Sequence, residues 1–106
     1  MEEKTFEQTI TNEELLDRVK AGGCILDVRE EAEFAFGHIE GAKSIPMGEL
    51  DSRMNELDKE QDIYVVCRTG KRSDLAAQKL SNSGFTKVYN VLPGMSNWNG
   101  QLTKNI

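Results

Sequence analysis

The sequence predicts an α/β fold in which helices cover both faces of a parallel sheet. Short apolar runs rich in β-branched residues, at 24–28 and 62–66, indicate buried strands. The segment between these runs has apolar residues at helical spacing, and a helix-forming run follows the second strand at residues 73–80. Strands that alternate with helices favour a parallel arrangement, because each helix returns the chain to the same end of the sheet.

The first half of the chain begins with weak alternation over residues 5–10, which predicts a short edge strand. Residues 11–14 form a capping-box pattern, in which a hydroxyl is followed three residues later by a carboxylate. This pattern predicts a helix that ends at the glycine pair 22–23. After the strand at 24–28, a short helix is expected over residues 30–36.

In the second half of the chain, predicted strands and helices continue to alternate. Apolar residues at helical spacing predict a helix over 48–57, and the apolar run at 62–66 is expected to be the central strand. Ser73 and Asp74 are good capping residues, so the next helix is expected to begin there. A last strand over 87–91 and a short final helix over 95–99 complete the prediction.

Composition narrows the possible functions. A chain of 106 residues is long enough for one compact domain. Its net charge of −5 argues against a nucleic-acid partner, and no apolar run approaches the roughly 20 residues that span a bilayer. The acidic start lacks a signal-peptide core, so we expect a cytoplasmic protein. Two distant cysteines and one histidine predict neither a disulfide nor a metal site, and no cofactor is expected.

The chemistry is concentrated in residues 67–72, here called the cysteine loop. Cys67 follows the predicted central strand and precedes a helix, where free N–H groups and the helix dipole favour a thiolate. Arg68, Lys71 and Arg72 add positive charge. An acidic protein that places three cations beside one cysteine suggests a small anionic ligand. The alternative is a buried, inert cysteine, which is the usual role of an isolated Cys.

Four segments resemble the rhodanese family of sulfurtransferases. The family's active-site loop is similar to residues 67–73, Cys-Arg-Thr-Gly-Lys-Arg-Ser, and the other matching segments agree in order and spacing. They are residues 26–30 with 33–34, residues 37–42 with 45–46, and residues 92–94 with Trp98. One position departs from the pattern, because the family often has two glycines where this chain has Gly94-Met95. The resemblance implies one rhodanese domain over residues 1–106, with a five-stranded sheet.

The resemblance also implies a reaction. Cys67 would take the outer sulfur of thiosulfate or a related anionic donor, and would pass it as a persulfide to cyanide, a thiol or a protein acceptor. Substrate binding would fall to the rest of the loop: Arg68, Thr69, Gly70, Lys71 and Arg72.

Supporting roles are expected at the same edge of the sheet. Asp27 and Arg29 lie at the carboxyl end of the predicted strand 24–28, and the carboxyl ends of parallel strands face the active crevice. An ion pair between them would support the loop, or would be structural only. Two roles also stay open for Arg72, which either binds the donor or braces the loop, and for Ser73, which is a hydroxyl donor or a helix cap.

Two other functions are considered beside the sulfurtransferase. A sulfur carrier or binding module would receive its persulfide from a partner protein. A cysteine phosphatase or arsenate reductase is disfavoured, because those phosphatases place five residues between Cys and Arg, whereas four separate Cys67 from Arg72. His38 is expected to be structural rather than a general base. Cys24 is expected to pack as a small apolar residue rather than to act as a resolving thiol.

Overall fold

The computed structural model describes residues 8–104. Five strands form one sheet in the order β1-β5-β4-β2-β3, and every neighbouring pair is parallel. The α/β prediction and the five-stranded form implied by the resemblance are confirmed. The strands are β1 Thr9–Thr11, β2 Cys24–Asp27, β3 Lys43–Ser44, β4 Ile63–Val66 and β5 Val88–Leu92.

Helices lie on both faces of this sheet. They are α1 Asn12–Arg18, α2 Glu31–Phe36, α3 Leu50–Arg53 and α4 Lys71–Asn82. Side chains alternate along β4, so that Val65 joins an apolar cluster with Leu50 and Leu80, whereas Val66 joins the opposite cluster with Leu15. Each face of the sheet is therefore covered by a different set of helices. Within residues 8–104, no helix combines the length and apolar character needed to cross a bilayer.

The predicted capping box is confirmed. The Thr11 hydroxyl oxygen accepts from the Glu14 N–H at 3.0 Å, and the Glu14 carboxylate accepts from the Thr11 N–H at 3.1 Å. Two donors that would be unsatisfied at the start of α1 are thereby paired. The predicted edge strand is found as β1, and residues 5–7 of that prediction lie outside the described residues.

The predicted helix over 48–57 is broken into three pieces. A 3-10 turn at Met47–Glu49 precedes α3, and a second 3-10 turn at Met54–Glu56 follows it. The backbone leaves helical geometry at Arg53, where φ is −119° and ψ is 6°. Apolar spacing predicted the buried face correctly but not the continuity, because short helical pieces take their stability from packing rather than propensity. The predicted final helix is similarly one 3-10 turn, Met95–Asn97.

The turn after β5 packs directly on the backbone of the cysteine loop. The N–H groups of Met95 and Ser96 donate to the carbonyls of Cys67 and Arg68, at 2.8 and 2.9 Å. Gly94 has a φ of 99°, and a Cβ there would lie 2.6 Å from the Cys67 oxygen. The Asn12 side chain exchanges two hydrogen bonds with Gly94, at 3.0 and 3.1 Å. Only glycine allows this close approach.

We therefore expect Gly94→Ala to lower the free energy of unfolding by about 2 kcal/mol or more, because positive φ and overpacking both oppose a side chain. Urea denaturation measures the change. Gly48→Ala is the matched control, since a Cβ at Gly48 meets nothing within 4 Å, and it should stay within about 0.5 kcal/mol of the parent. Equal stability of the two variants would contradict this account of the turn.

Candidate active site

The carboxyl ends of the central strands meet at one edge of the sheet, and Cys67 lies there. It follows the last residue of β4, which is flanked by β5 on one side and β2 on the other. The four residues 67–70 then connect β4 to α4. The parallel sheet thus directs the thiol towards the start of a helix, as the sequence predicted.

Backbone N–H groups converge on the Cys67 sulfur. The N–H groups of Gly70 and Ser73 donate to Sγ at 3.1 and 3.3 Å, and the Ser73 hydroxyl lies 3.3 Å from Sγ. Cys67 is only 1% exposed and its other side belongs to the apolar cluster that includes Val65. The sulfur is therefore buried, but not among apolar groups alone. The N–H groups of Gly70 and Ser73 and the Ser73 hydroxyl surround it on one side and form what is here called the thiol pocket. Such donors favour a negative charge on the atom they face.

The start of α4 differs from the prediction. Ser73 was predicted at the helix cap, but the helix begins at Lys71 and Gly70 occupies the cap position with a φ of 92°. This left-handed conformation suits glycine and lets the loop turn tightly enough to aim its N–H group at the sulfur. Ser73 consequently lies inside the first turn, fully buried, with its hydroxyl beside Cys67. Its hydroxyl donates to the side chain of Asn90, a residue for which the sequence offered no signal.

The three cations of the loop occupy two kinds of environment. Arg68 and Lys71 are exposed, and neither forms an ion pair with the part of the chain that the structure describes. Arg72 instead makes a bidentate pair with Glu33 of α2, at 2.8 and 3.1 Å. This pairing lowers the pKa of Glu33 to about 2 and raises the pKa of Arg72. Arg72 therefore braces the loop by pairing with Glu33, which is one of the two roles considered for it. Arg68 and Lys71 are the cations of the loop that remain available to a ligand.

Asp27 and Arg29 form the ion pair that was expected at this edge. The Arg29 guanidinium contacts both Asp27 oxygens, with its shortest contact at 2.8 Å, and also donates to the Gly37 carbonyl at 2.8 Å. Both residues are buried. The pair therefore ties the end of β2 to the end of α2.

An open cleft of about 630 Å³ adjoins the cysteine loop. Met95, at the position where the chain departs from the family's paired glycines, contributes its side chain to the wall. The lining residues are Arg29, Ala32, Glu33, Phe36, Arg68, Met95 and Ser96. Thr69 is exposed on the same loop. The cleft beside the loop therefore combines apolar side chains with Arg68, a cation that forms no ion pair within residues 8–104.

Two further residues considered in the sequence lie in structural positions. His38 stacks on Phe34 with ring centroids 3.7 Å apart, and its Nδ1 lies 2.7 Å from the Phe34 carbonyl oxygen. Cys24 begins β2 and pairs in register with the first residue of β4, so it lies at the opposite edge of the sheet from Cys67. Burial raises the pKa of the Cys24 thiol. Within residues 8–104, no three His, Cys, Asp or Glu side chains are grouped to hold a metal ion.

Solved structures resemble this fold closely. A rhodanese-related protein from Thermoplasma volcanium superposes with a TM-score of 0.85 at 30% identity, covering 91% of this chain and 97% of that one. A rhodanese-like domain protein from Staphylococcus aureus gives a TM-score of 0.84 at 34% identity, covering 92% and 97%.

Relatives are also found by sequence. "Putative sulfur carrier protein YrkF" of Bacillus subtilis is 42% identical over 98 residues, which are 92% of this chain and 49% of YrkF. The chain therefore spans about half the length of that relative. "Thiosulfate sulfurtransferase GlpE" of Stutzerimonas stutzeri is 35% identical over 78 residues, covering 74% of this chain and 72% of GlpE.

The family model described as "Rhodanese-like domain" matches residues 11–101, a stretch that begins at the cap of α1 and ends beyond the turn that packs on the cysteine loop. The matched region contains the whole thiol pocket, the Glu33–Arg72 pair and all five strands apart from the first residues of β1. By this match and by its relatives, the chain belongs to the rhodanese-like domain family.

Proposed function

We propose that this protein is a sulfurtransferase that carries a sulfane sulfur on Cys67. The donor would be thiosulfate or a related small anion, and the acceptor a thiol, a protein or cyanide. The observation that carries the proposal is the pair of N–H groups, from Gly70 and Ser73, directed at the Cys67 sulfur. These donors would stabilise the sulfur as a thiolate, which is the nucleophilic form.

The two half-reactions balance without any cofactor. The Cys67 thiolate attacks the outer sulfur of thiosulfate, an S–S bond forms, and the S–S bond of the donor breaks to release sulfite. The negative charge then lies on the outer sulfur of the persulfide. Attack by a thiolate or cyanide on that sulfur forms the product and returns the electron pair to Cys67. Because the enzyme alternates between two covalent states, we expect ping-pong kinetics.

The donor's charged end would be held outside the thiol pocket. Arg68 and Lys71 are exposed beside Cys67 in sequence and carry no ion pair among the described residues, so they are free to attract sulfonate oxygens. Thr69, also exposed, can add a hydroxyl donor. Since Cys67 is 1% exposed, a donor must present a narrow sulfur end-on, and the residues over the sulfur must give way as it enters.

A sulfur carrier loaded by a partner protein is the second candidate. It is favoured by the similarity to a relative named as a sulfur carrier and by the burial of Cys67, which would protect a stored persulfide. Carrier and enzyme share the Cys67 persulfide and differ in what loads it. Repeated thiosulfate turnover by the purified protein supports the enzyme, whereas loading only from a protein persulfide supports the carrier.

A covalent intermediate on Cys67 should be detectable by mass. Incubation with thiosulfate should increase the intact mass by one sulfur atom, and cyanide or a dithiol should remove the increment. Cys67→Ser should gain no mass, whereas Cys24→Ser should behave like the parent because Cys24 lies at the other edge of the sheet. A sulfur increment that persisted in Cys67→Ser would refute the assignment of the nucleophile.

Donor binding should depend on the exposed cations of the cysteine loop. Lys71→Ala should raise the KM for thiosulfate several-fold and leave kcat nearly unchanged, since an exposed cation contributes mainly to ground-state attraction. Lys20→Ala is the control, because it removes the same charge just before β2, at the opposite edge of the sheet. Equal KM values for the two variants would remove Lys71 from the binding site.

The Glu33–Arg72 ion pair, here called the brace, should stabilise the fold in a pH-dependent way. The pKa of Glu33 in the folded protein is about 2, below its ordinary value of 4.5, so the pair stabilises the fold above pH 4.5 and loses this effect as the pH falls towards 2. Because the two side chains are 31% and 35% exposed, Glu33→Gln should cost only about 1 kcal/mol at pH 7. Urea unfolding across this pH range measures the difference.

The matched control for the brace is Glu31→Gln, which removes an exposed carboxylate from the same helix. Its stability relative to the parent should stay flat across the range. A Glu33→Gln difference that persisted unchanged at pH 2 would show that the carboxylate charge is not what stabilises the loop.

A further inference from the structure

A buried amide lies beneath the cysteine loop and has no part in the reaction described above. Asn90 is in the middle of β5 and is 0% exposed. Its Nδ2 donates to the carbonyl of Gly70 at 3.3 Å, and its Oδ1 accepts from the hydroxyl of Ser73. Ser73 in turn lies 3.3 Å from the Cys67 sulfur. A line of hydrogen bonds therefore connects the nucleophile, through one hydroxyl, to the middle of the sheet.

The carbonyl of Gly70 determines which way this amide points. If the Asn90 side chain were turned round, its oxygen would face the Gly70 oxygen, and two acceptors would be opposed in a buried site. With Nδ2 on Gly70, Oδ1 faces Ser73 and must receive a proton from it. A serine hydroxyl has a single proton. While that proton lies on the Asn90 side, the Ser73 oxygen can only accept from the Cys67 S–H.

The hydrogen bonds from Cys67 to Ser73 and from Ser73 to Asn90 stabilise the neutral thiol of Cys67 and disfavour its thiolate, in contrast to the N–H groups of the loop. In the thiol form every group in the line is paired. When Cys67 ionises, a lone pair of Ser73 faces the anion, unless the hydroxyl rotates to donate to the sulfur. Rotation would leave the Asn90 oxygen buried and without that donor, which is unfavourable. The sulfur and the amide therefore compete for one proton.

We propose that Asn90 is a positioning residue that controls the ionisation of Cys67 by competing with the sulfur for the Ser73 hydroxyl proton. In a persulfide the charge lies on the outer sulfur and Sγ again bears none, so the same competition favours the sulfur-loaded protein over the free thiolate. This last consequence rests on the proposed function, whereas the effect on ionisation does not.

The test follows the rate of alkylation by iodoacetamide against pH, in a Cys24→Ser background so that the reaction reports Cys67 alone. Removing the Asn90 oxygen in Asn90→Ala frees the Ser73 hydroxyl to donate to the sulfur. The midpoint of the profile should move to lower pH by at least about half a unit, which is roughly a threefold faster reaction below the midpoint. Asn90→Val, which suits a strand and fills more of the space, should shift the midpoint in the same direction.

The decisive comparison repeats both substitutions with Ser73→Ala. If Asn90 acts through the Ser73 hydroxyl, neither substitution should move the midpoint in that background. A shift of the same size with and without Ser73 would assign Asn90 to general packing of the loop and overturn the proposal. An unchanged midpoint, or one moved to higher pH, in the presence of Ser73 would overturn it as well.

Two safeguards keep the result interpretable. Urea unfolding of each variant identifies the folded samples, and loss of the folded state in both Asn90→Ala and Asn90→Val would overturn the proposal by making Asn90 structural only. The alkylation readout needs no sulfur donor. Failure of thiosulfate loading would therefore count against the proposed function without affecting this test.

Discussion

The contact on which the candidate active site depends most is between two pieces of backbone. The turn after β5 places the Met95 N–H on the Cys67 carbonyl, and Gly94 approaches that carbonyl more closely than any side chain would allow. Asn12 holds Gly94 from the other side with two hydrogen bonds. Residues separated by more than eighty positions in sequence thus determine where the main chain of Cys67 lies. The cysteine loop needs such rigid support, because its N–H groups stabilise charge on the sulfur only when they point at it.

The cations at this site are of two kinds, those that form ion pairs within the protein and those that remain exposed. Arg72 is committed to Glu33, and Arg29 to Asp27, so two of the site's cations are neutralised locally and brace the backbone. Arg68 and Lys71 remain exposed. An acidic chain with a net charge of −5 therefore offers a small region of free positive charge beside its buried thiol. This division leaves the loop with one cation that braces its backbone and two that are exposed.

The burial of Cys67 links the site to both proposed functions. The sulfur is 1% exposed and is contacted by the N–H groups of Gly70 and Ser73, so it has little direct contact with solvent. Under either proposed function, the same burial would require a narrow donor or a partner that displaces the covering residues. The Ser73–Asn90 hydrogen bond adds a second influence on the sulfur, which acts on its proton rather than on its access.

Much of the secondary structure and part of the candidate site could be predicted from the sequence. Local patterns identified four of the five strands in the described sheet, the capping box of Thr11 and Glu14, and a cysteine placed between a strand and a helix, because each depends on neighbouring residues. Three contacts were determined only by the tertiary structure. Arg72 is the cation that pairs with Glu33, and Ser73 faces the sulfur instead of capping α4. Asn90 contacts both Ser73 and Gly70. These contacts join residues far apart in the chain, and their partners are selected by the order of strands and the tilt of a loop. No local pattern encodes that geometry.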